Sequence, residues 1–366
     1  MSVDDLRMRA GELSCLCGPA AAGDDALDAH DLGRLAAGFG LSALAQTLVL
    51  STLPEASRLL APTLDRLGLP YALLLVGAAL ATFPAAFLID AFGRRSAFAL
   101  GASLGVAGGL LTAFAASRGN FPALCLGAFW LGLAQGFALF YRHIAARGSA
   151  LATRAGLVVL AGGAVAAGGA PALIWFGGLF GEGVGPMLIV AAGLHALALW
   201  VATRLPHAIA PTRLDARPSA ALSWRFFAAT LAGALGWFFM AAGMLHGPLQ
   251  LSLCQASRGF IGAAMAWHLL AMYGPAALAA RWPALAPPIA ATLGGLIAMV
   301  LALGVLRAGA SVASVTAALM TVGAGWSLVN VGAMRLLHDK TRPPRLALAL
   351  HDLCLLSAAA AGALAF

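Results

Sequence analysis

Two short runs of sulfur and imidazole side chains hold the most distinctive chemistry in this sequence. The first reads Trp237-Phe-Phe-Met240-Ala-Ala-Gly-Met244-Leu-His246-Gly-Pro248, and the second Met265-Ala-Trp-His268-Leu-Leu-Ala-Met272-Tyr-Gly-Pro275. Met240 and Met244 are four apart, as are His268 and Met272, and Met265 stands three before His268, so each group falls on one side of a helix. Thioethers with one imidazole make a soft, uncharged set that suits Cu(I) and offers little to Mg, Ca or Mn. Neutral ligands also hold an ion loosely enough to release it. Against this, methionine is a common apolar filler, and a buried histidine is often satisfied by a backbone carbonyl. Candidate accessory ligands are Met265, Cys254 between the two runs, His246, and the Cys15-Leu-Cys17 pair near the start. Free cysteines are more often packing residues.

The elements that must position these residues follow from composition. The chain has 366 residues, 61% of them hydrophobic and 10% charged, with a mean hydropathy of +0.90. A soluble domain is about a quarter charged, so a soluble enzyme, a disordered chain and a disulfide-stapled secreted fold are excluded. Eleven apolar segments stand at about 34–53, 70–90, 96–116, 121–142, 152–176, 186–205, 222–249, 259–279, 287–306, 311–334 and 346–366, each near the roughly 20 residues a membrane crossing needs. Residues 1–33 read as a polar, acid-rich tail with no signal peptide. Segments 34–205 form a first six-helix bundle, 206–221 a Pro- and Arg-containing linker, and 222–366 a second bundle of five helices. A two-fold repeat of six would have a twelfth segment, and the sequence stops at Phe366.

Loops after even-numbered segments hold 14 of the 22 basic residues and loops after odd-numbered ones five. That bias puts the even loops, the linker and the N-terminus in the cytoplasm. The net charge of +8 is spread thinly over these loops, which argues for topology rather than nucleic-acid binding. With about 1.5 Å rise per residue from Arg225 and Arg281, Met240, His268 and Met265 fall at similar depths of roughly 20–24 Å, near where an alternating-access carrier holds its substrate.

At the end of the second segment stands Ala86-Phe-Leu-Ile-Asp90-Ala-Phe-Gly93-Arg94-Arg95. It resembles the loop signature of the major facilitator superfamily, G-x-x-x-D-x-x-G-R-R/K. Arg142 on the fourth segment and the glycine- and proline-rich fifth segment are similar to that superfamily as well. The resemblance implies an all-α polytopic two-bundle fold, with Asp90, Gly93, Arg94, Arg95 and Arg142 as gating residues. The paired M-x-x-x-M and H-x-x-x-M runs, with Pro248, Gly274-Pro275, Gly325-Trp326 and Asp352, resemble its CcoA-like copper importers (the CalT group). That likeness implies Met240, Met244, His268 and Met272 as copper ligands. It further implies import of copper as substrate across a bacterial inner membrane, and a cytoplasmic copper acceptor serving cytochrome oxidase assembly.

Gln46, Gln135 and Asn330 are candidate cavity-lining polar groups, or glue between helices. No phosphate-binding loop is present, so no nucleotide drives the protein. Asp90 and Asp352 are the acids outside the tail that stand near segment ends, which favours uptake driven by membrane potential over proton coupling. His338 and His351 read as solvated. Two other readings fit. One is a carrier of a small organic solute, with Trp237, Phe238, Phe239 and Trp267 as cavity walls. The other is a non-transporting membrane scaffold that binds copper.

Overall fold

The computed structural model describes residues 27–148, 151–177, 183–206, 223–309, 311–340 and 343–364. Cys15 and Cys17, and all but the first residue of the linker at 206–221, lie outside the described residues. Among the described residues there are eleven α-helical stretches, α1 (Ala29–Leu60), α2 (Leu69–Arg118), α3 (Phe121–Gly148), α4 (Thr153–Ala161), α5 (Val165–Gly177), α6 (Gly185–Thr203), α7 (Trp224–Leu253), α8 (Arg258–Arg281), α9 (Pro288–Ala308), α10 (Val312–His338) and α11 (Arg345–Leu364). Among the described residues there is no strand.

Helix ends follow local chemistry. The Asp28 carboxylate accepts the Asp31 amide at 2.7 Å, so α1 opens inside what the sequence reads as tail. An acid cluster next to an apolar run is also a good helix start, since carboxylates satisfy free N–H groups there. Ser311 and Ser314 form a reciprocal cap on α10.

The segments expected at 70–90 and 96–116 are the two helical arms of α2, which meet at a sharp turn at Gly93 (φ 79, ψ 163). At about 1.5 Å per residue each arm is roughly 36 Å long, enough to cross one bilayer core. The two arms fold back to back, because Gly77 on the first and Gly108 on the second both lie against residues 127–133 of α3. Backbone at φ 79 is open to glycine and costly for other residues. The expected fifth segment is α4 and α5, joined through a 3-10 turn at Gly162–Ala164. Ten helical stretches are long and apolar enough to cross a membrane. One of them contains both arms of α2, so the described residues make eleven passes.

Helices α1–α6 pack mainly on one another, as do α7–α11, and the seam is made by α2 on α11 and by α4 and α5 on α8. Rows of large apolar side chains stay on the outside, such as Val76, Leu80, Phe83 and Phe87 on α2 and Ile289, Leu293, Ile297 and Val300 on α9. Such faces fit a lipid neighbour, and in lipid every backbone polar group is best satisfied inside a helix. Helix starts and ends alternate between two ends of the bundle. The end carrying Arg94, Arg95, Arg142, Arg147, Arg335 and Arg345 is called the arginine-rich end below.

Candidate functional site

Between the two helix groups lies a cavity of about 990 Å³, its open mouth included. It spans the middle of α1 from Phe39 to Leu50 and reaches Tyr71, two residues from the start of α2 at the end opposite the arginines. Its walls are aromatic. Trp326 stands edge-on to Trp237 at 5.4 Å and to Tyr273 at 5.9 Å, and Phe39 meets Tyr273 at 6.2 Å. Met240, Met244 and Met272 line the same space.

Most of its polar groups enter from the first helix group, with the indole N–H groups of Trp237 and Trp326 facing them from the second. Ser42, Gln46, Gln135, Arg142 and His195 come from α1, α3 and α6. Gln46 Nε2, Gln135 Oε1, both ring nitrogens of His195, and the indole N–H groups of Trp237 and Trp326 are buried without a hydrogen-bond partner among the described residues. Native structures leave only a few such groups unsatisfied in roughly every 100 residues. Their concentration around one cavity marks a surface shaped to pair with something polar inside it.

The floor is a charged network closing the arginine-rich end. Arg142 Nη2 donates to Asp352 at 2.6 Å and Nη1 to Asn330 at 3.2 Å. His143 Nε2 lies 3.3 Å from Asp352 and its Nδ1 3.2 Å from His338. The Thr230 hydroxyl is 2.9 Å from His351 Nδ1. Arg142, His143, His338, His351 and Asp352 are all buried. His338 and His351 are therefore not solvated as expected. Asp352 is not an end-of-helix acid either: it sits two turns into α11 and is 0% exposed. With a buried carboxylate present, the ground for setting proton coupling aside falls away. Position along the chain misled here, because neighbouring helices cover the start of α11.

The expected copper set divides. Met240, Met244 and Met272 come together at the cavity, whereas His268 does not line it. The His268 ring turns to α10, with Nδ1 2.7 Å from the Leu319 carbonyl and packed over Gly323. An i, i+4 step leaves about 40° of rotation between two side chains, enough to aim Met272 at the cavity and His268 at the next helix. Met265 is half-buried and outside the cavity lining. His246 Nδ1 sits 3.1 Å from the carbonyl of Ala242 one turn back, and Cys254 lies against the Gly309 carbonyl at 3.8 Å. Among the described residues, no group of three or more His, Cys, Asp or Glu is placed to hold a metal ion.

Of the signature residues, Asp90 is exposed and ion-paired with Arg345 across the seam. Gly93 makes the bend, Arg94 is buried and Arg95 exposed. Trp237 is a cavity wall, but Trp267 is 57% exposed on the outer surface. Phe238 and Phe239 are half-buried beside the cavity rather than in its lining. Sequence reasoning passed over His195, Tyr71 and Trp326 as lining residues. His195 had a usable signal, being an imidazole nine residues inside the end of an apolar segment.

This is the fold of the major facilitator transporters, a multi-pass, all-helical membrane protein. Over 92% of this chain and 88% of the other, it matches the proton:xylose symporter XylE with a TM-score of 0.70 at 16% identity. The human organic anion transporter MFSD10 matches over 91% of each chain, with a TM-score of 0.68 at 18% identity. Residues 38–190 match the family of sugar (and other) transporters. The riboflavin transporter RfnT of Brucella anthropi is 28% identical over 289 residues, which is 75% of this chain and 72% of that protein.

Proposed function

We propose that this protein is a secondary transporter that moves a small, flat, polar-edged organic solute of the riboflavin type across the membrane by alternating access. The observation that carries this reading is the set of unpartnered neutral polar groups and indole N–H donors arranged around an aromatic-walled cavity. Aromatic faces stack on a planar ring, while Gln46 and Gln135 offer amide donors and acceptors to its edge. Similarity to a riboflavin transporter supports the same solute class. Helices α1–α6 and α7–α11 act as the two rocking bodies, and the cavity lies between them as alternating access requires. The positive-inside bias makes the arginine-rich end cytoplasmic. The present state is then outward-facing, and import across a bacterial inner membrane is the direction.

The copper reading is weaker on this geometry. Without His268, three thioethers remain, set among indole and phenol rings, and there they serve as polarisable wall. Reconstitution in sealed vesicles separates the readings. Labelled riboflavin should accumulate by counterflow against internal unlabelled riboflavin, and Trp237→Ala should reduce the rate at least tenfold. Absence of counterflow beside radioactive copper uptake that Met240→Ala/Met272→Ala abolishes would instead establish copper carriage. Binding of either without flux would identify a scaffold.

A further inference from the structure

A second, smaller cavity branches from the first between α1, α3, α6 and the second arm of α2. The two share three lining residues, Ser42, Ala138 and His195. His195 is 3% exposed, and neither ring nitrogen has a partner among the described residues. Its place is made by Gly105, where a Cβ would overlap the ring. Behind it, Phe98 and Tyr141 stack at 3.8 Å with their planes 7° apart and form a rigid wall. A dry imidazole with both nitrogens unmet is costly in a protein interior and more so in a bilayer. A position kept open for it by a glycine, on the border of two cavities, is accounted for when the ring meets a ligand there.

We infer that His195, with the Ser42 hydroxyl, is the specificity-determining site for a hydroxyl-bearing arm of the transported solute, which meets them at the edge of the main cavity that both residues line. The chemistry of the branch selects this class. The polar side chains lining it, Ser42, Tyr141 and His195, are uncharged or neutral when dry, and each pairs through both donor and acceptor sites as alcohols do. No arginine or lysine lines it, so a carboxylate or phosphate would arrive without a counter-charge. Ser42 already donates to the Gly38 carbonyl at 2.9 Å, which leaves its lone pairs to accept from the solute. Of the solute's parts, the arm is assigned here because the side branch has room for about one water-sized group, which a single hydroxyl fits and a ring does not.

This inference rests on the riboflavin-type reading and deepens it. The test compares riboflavin with lumiflavin, which has the same ring and a methyl group in place of the polyhydroxylated chain. In vesicles, wild type should prefer riboflavin by KM, and His195→Ala should cut that preference by about tenfold or more, as expected when a site built for a hydroxyl loses its partner. The effect should appear in KM with little change in maximal rate. His195→Gln, which keeps a donor and an acceptor, should recover part of the preference. Gly105→Ala, which displaces the ring without removing it, should lower it as well. A wild type with no preference, or variants that change both solutes equally, would overturn the inference while leaving riboflavin transport standing. A wild type that exchanges neither flavin would instead remove the functional reading beneath it.

Discussion

A guanidinium enclosed by helices is tolerated only with a carboxylate in contact, because removing water from an isolated charge costs several kcal/mol or more. Arg142 meets this demand through Asp352 at 2.6 Å, with side chains only 2% and 0% exposed. Breaking one half of such a pair costs about 3–5 kcal/mol, more than replacing both. Asp352→Asn is thus expected to lower the thermal midpoint in detergent markedly, and Arg142→Gln likewise. The Arg142→Gln/Asp352→Asn double variant should lose less than the sum of the singles, and strict additivity would show the pair to be independent. This pair was half legible in the sequence. Arg142 stood out by its motif, and Gln46, Gln135, Met240, Met244 and Met272 by type and depth. Sequence spacing sets depth along a helix well, but the rotation that decides which neighbour a side chain meets is set by packing. His268 was lost to α10 for that reason, Asp352 was read as lying near a segment end rather than in a buried network, and His195 was missed.

At the scale of helices, small residues fix how closely α2 and α3 approach. Gly132 and Gly136 on α3 lie directly on the Leu74 and Ala78 carbonyl oxygens of α2, where a Cβ would collide with backbone that cannot swing away. Small residues one turn apart are a common basis for close packing in membranes, where lipid is as apolar as the side chains and contact geometry must supply the attraction. Gly132→Ala should therefore destabilise by about 1–3 kcal/mol through overpacking. Gly294→Ala on α9, with nothing within 4 Å of the added atom, should be neutral or raise stability by up to about 1 kcal/mol through helix propensity. Thermal midpoints of the two variants in one detergent check this, and equal effects would mean the close approach is not tight. The number and order of helices were readable from apolar length alone. The turn between the two arms of α2 was readable too, because Gly93-Arg94-Arg95 has the composition of a loop and Gly93 leaves helical geometry.

For the whole molecule, the proposed alternating-access cycle makes the balance between outward and inward states depend on how the arginine-rich end of the seam is closed. Among the described residues it is held by Asp90 with Arg345, Thr153 with Asp339 at 2.6 Å, Arg147 with the Pro343 carbonyl, and the buried Arg142–Asp352 pair with its neighbours Asn330, His143 and His338. Asp90 is 52% exposed and Arg345 16%, and a solvated pair of this kind contributes about 0–1 kcal/mol. Its loss can shift the populations of the two states by no more than about fivefold. The buried pair, made only while the seam is shut, has the larger leverage, since opening leaves both charges to find water. A single cysteine introduced at Ser42 in a cysteine-free background reports the difference, read as labelling by a membrane-impermeant maleimide from the arginine-rich side. Asp90→Ala should raise the labelling rate at most about fivefold, and the exchange Asp90→Arg/Arg345→Asp should restore it. Arg142→Gln/Asp352→Asn should raise it further. If Asp90→Ala alone opened the seam as far as the buried double variant, the exposed pair would be the principal latch, and the outward state would be held at the membrane surface rather than at the cavity floor.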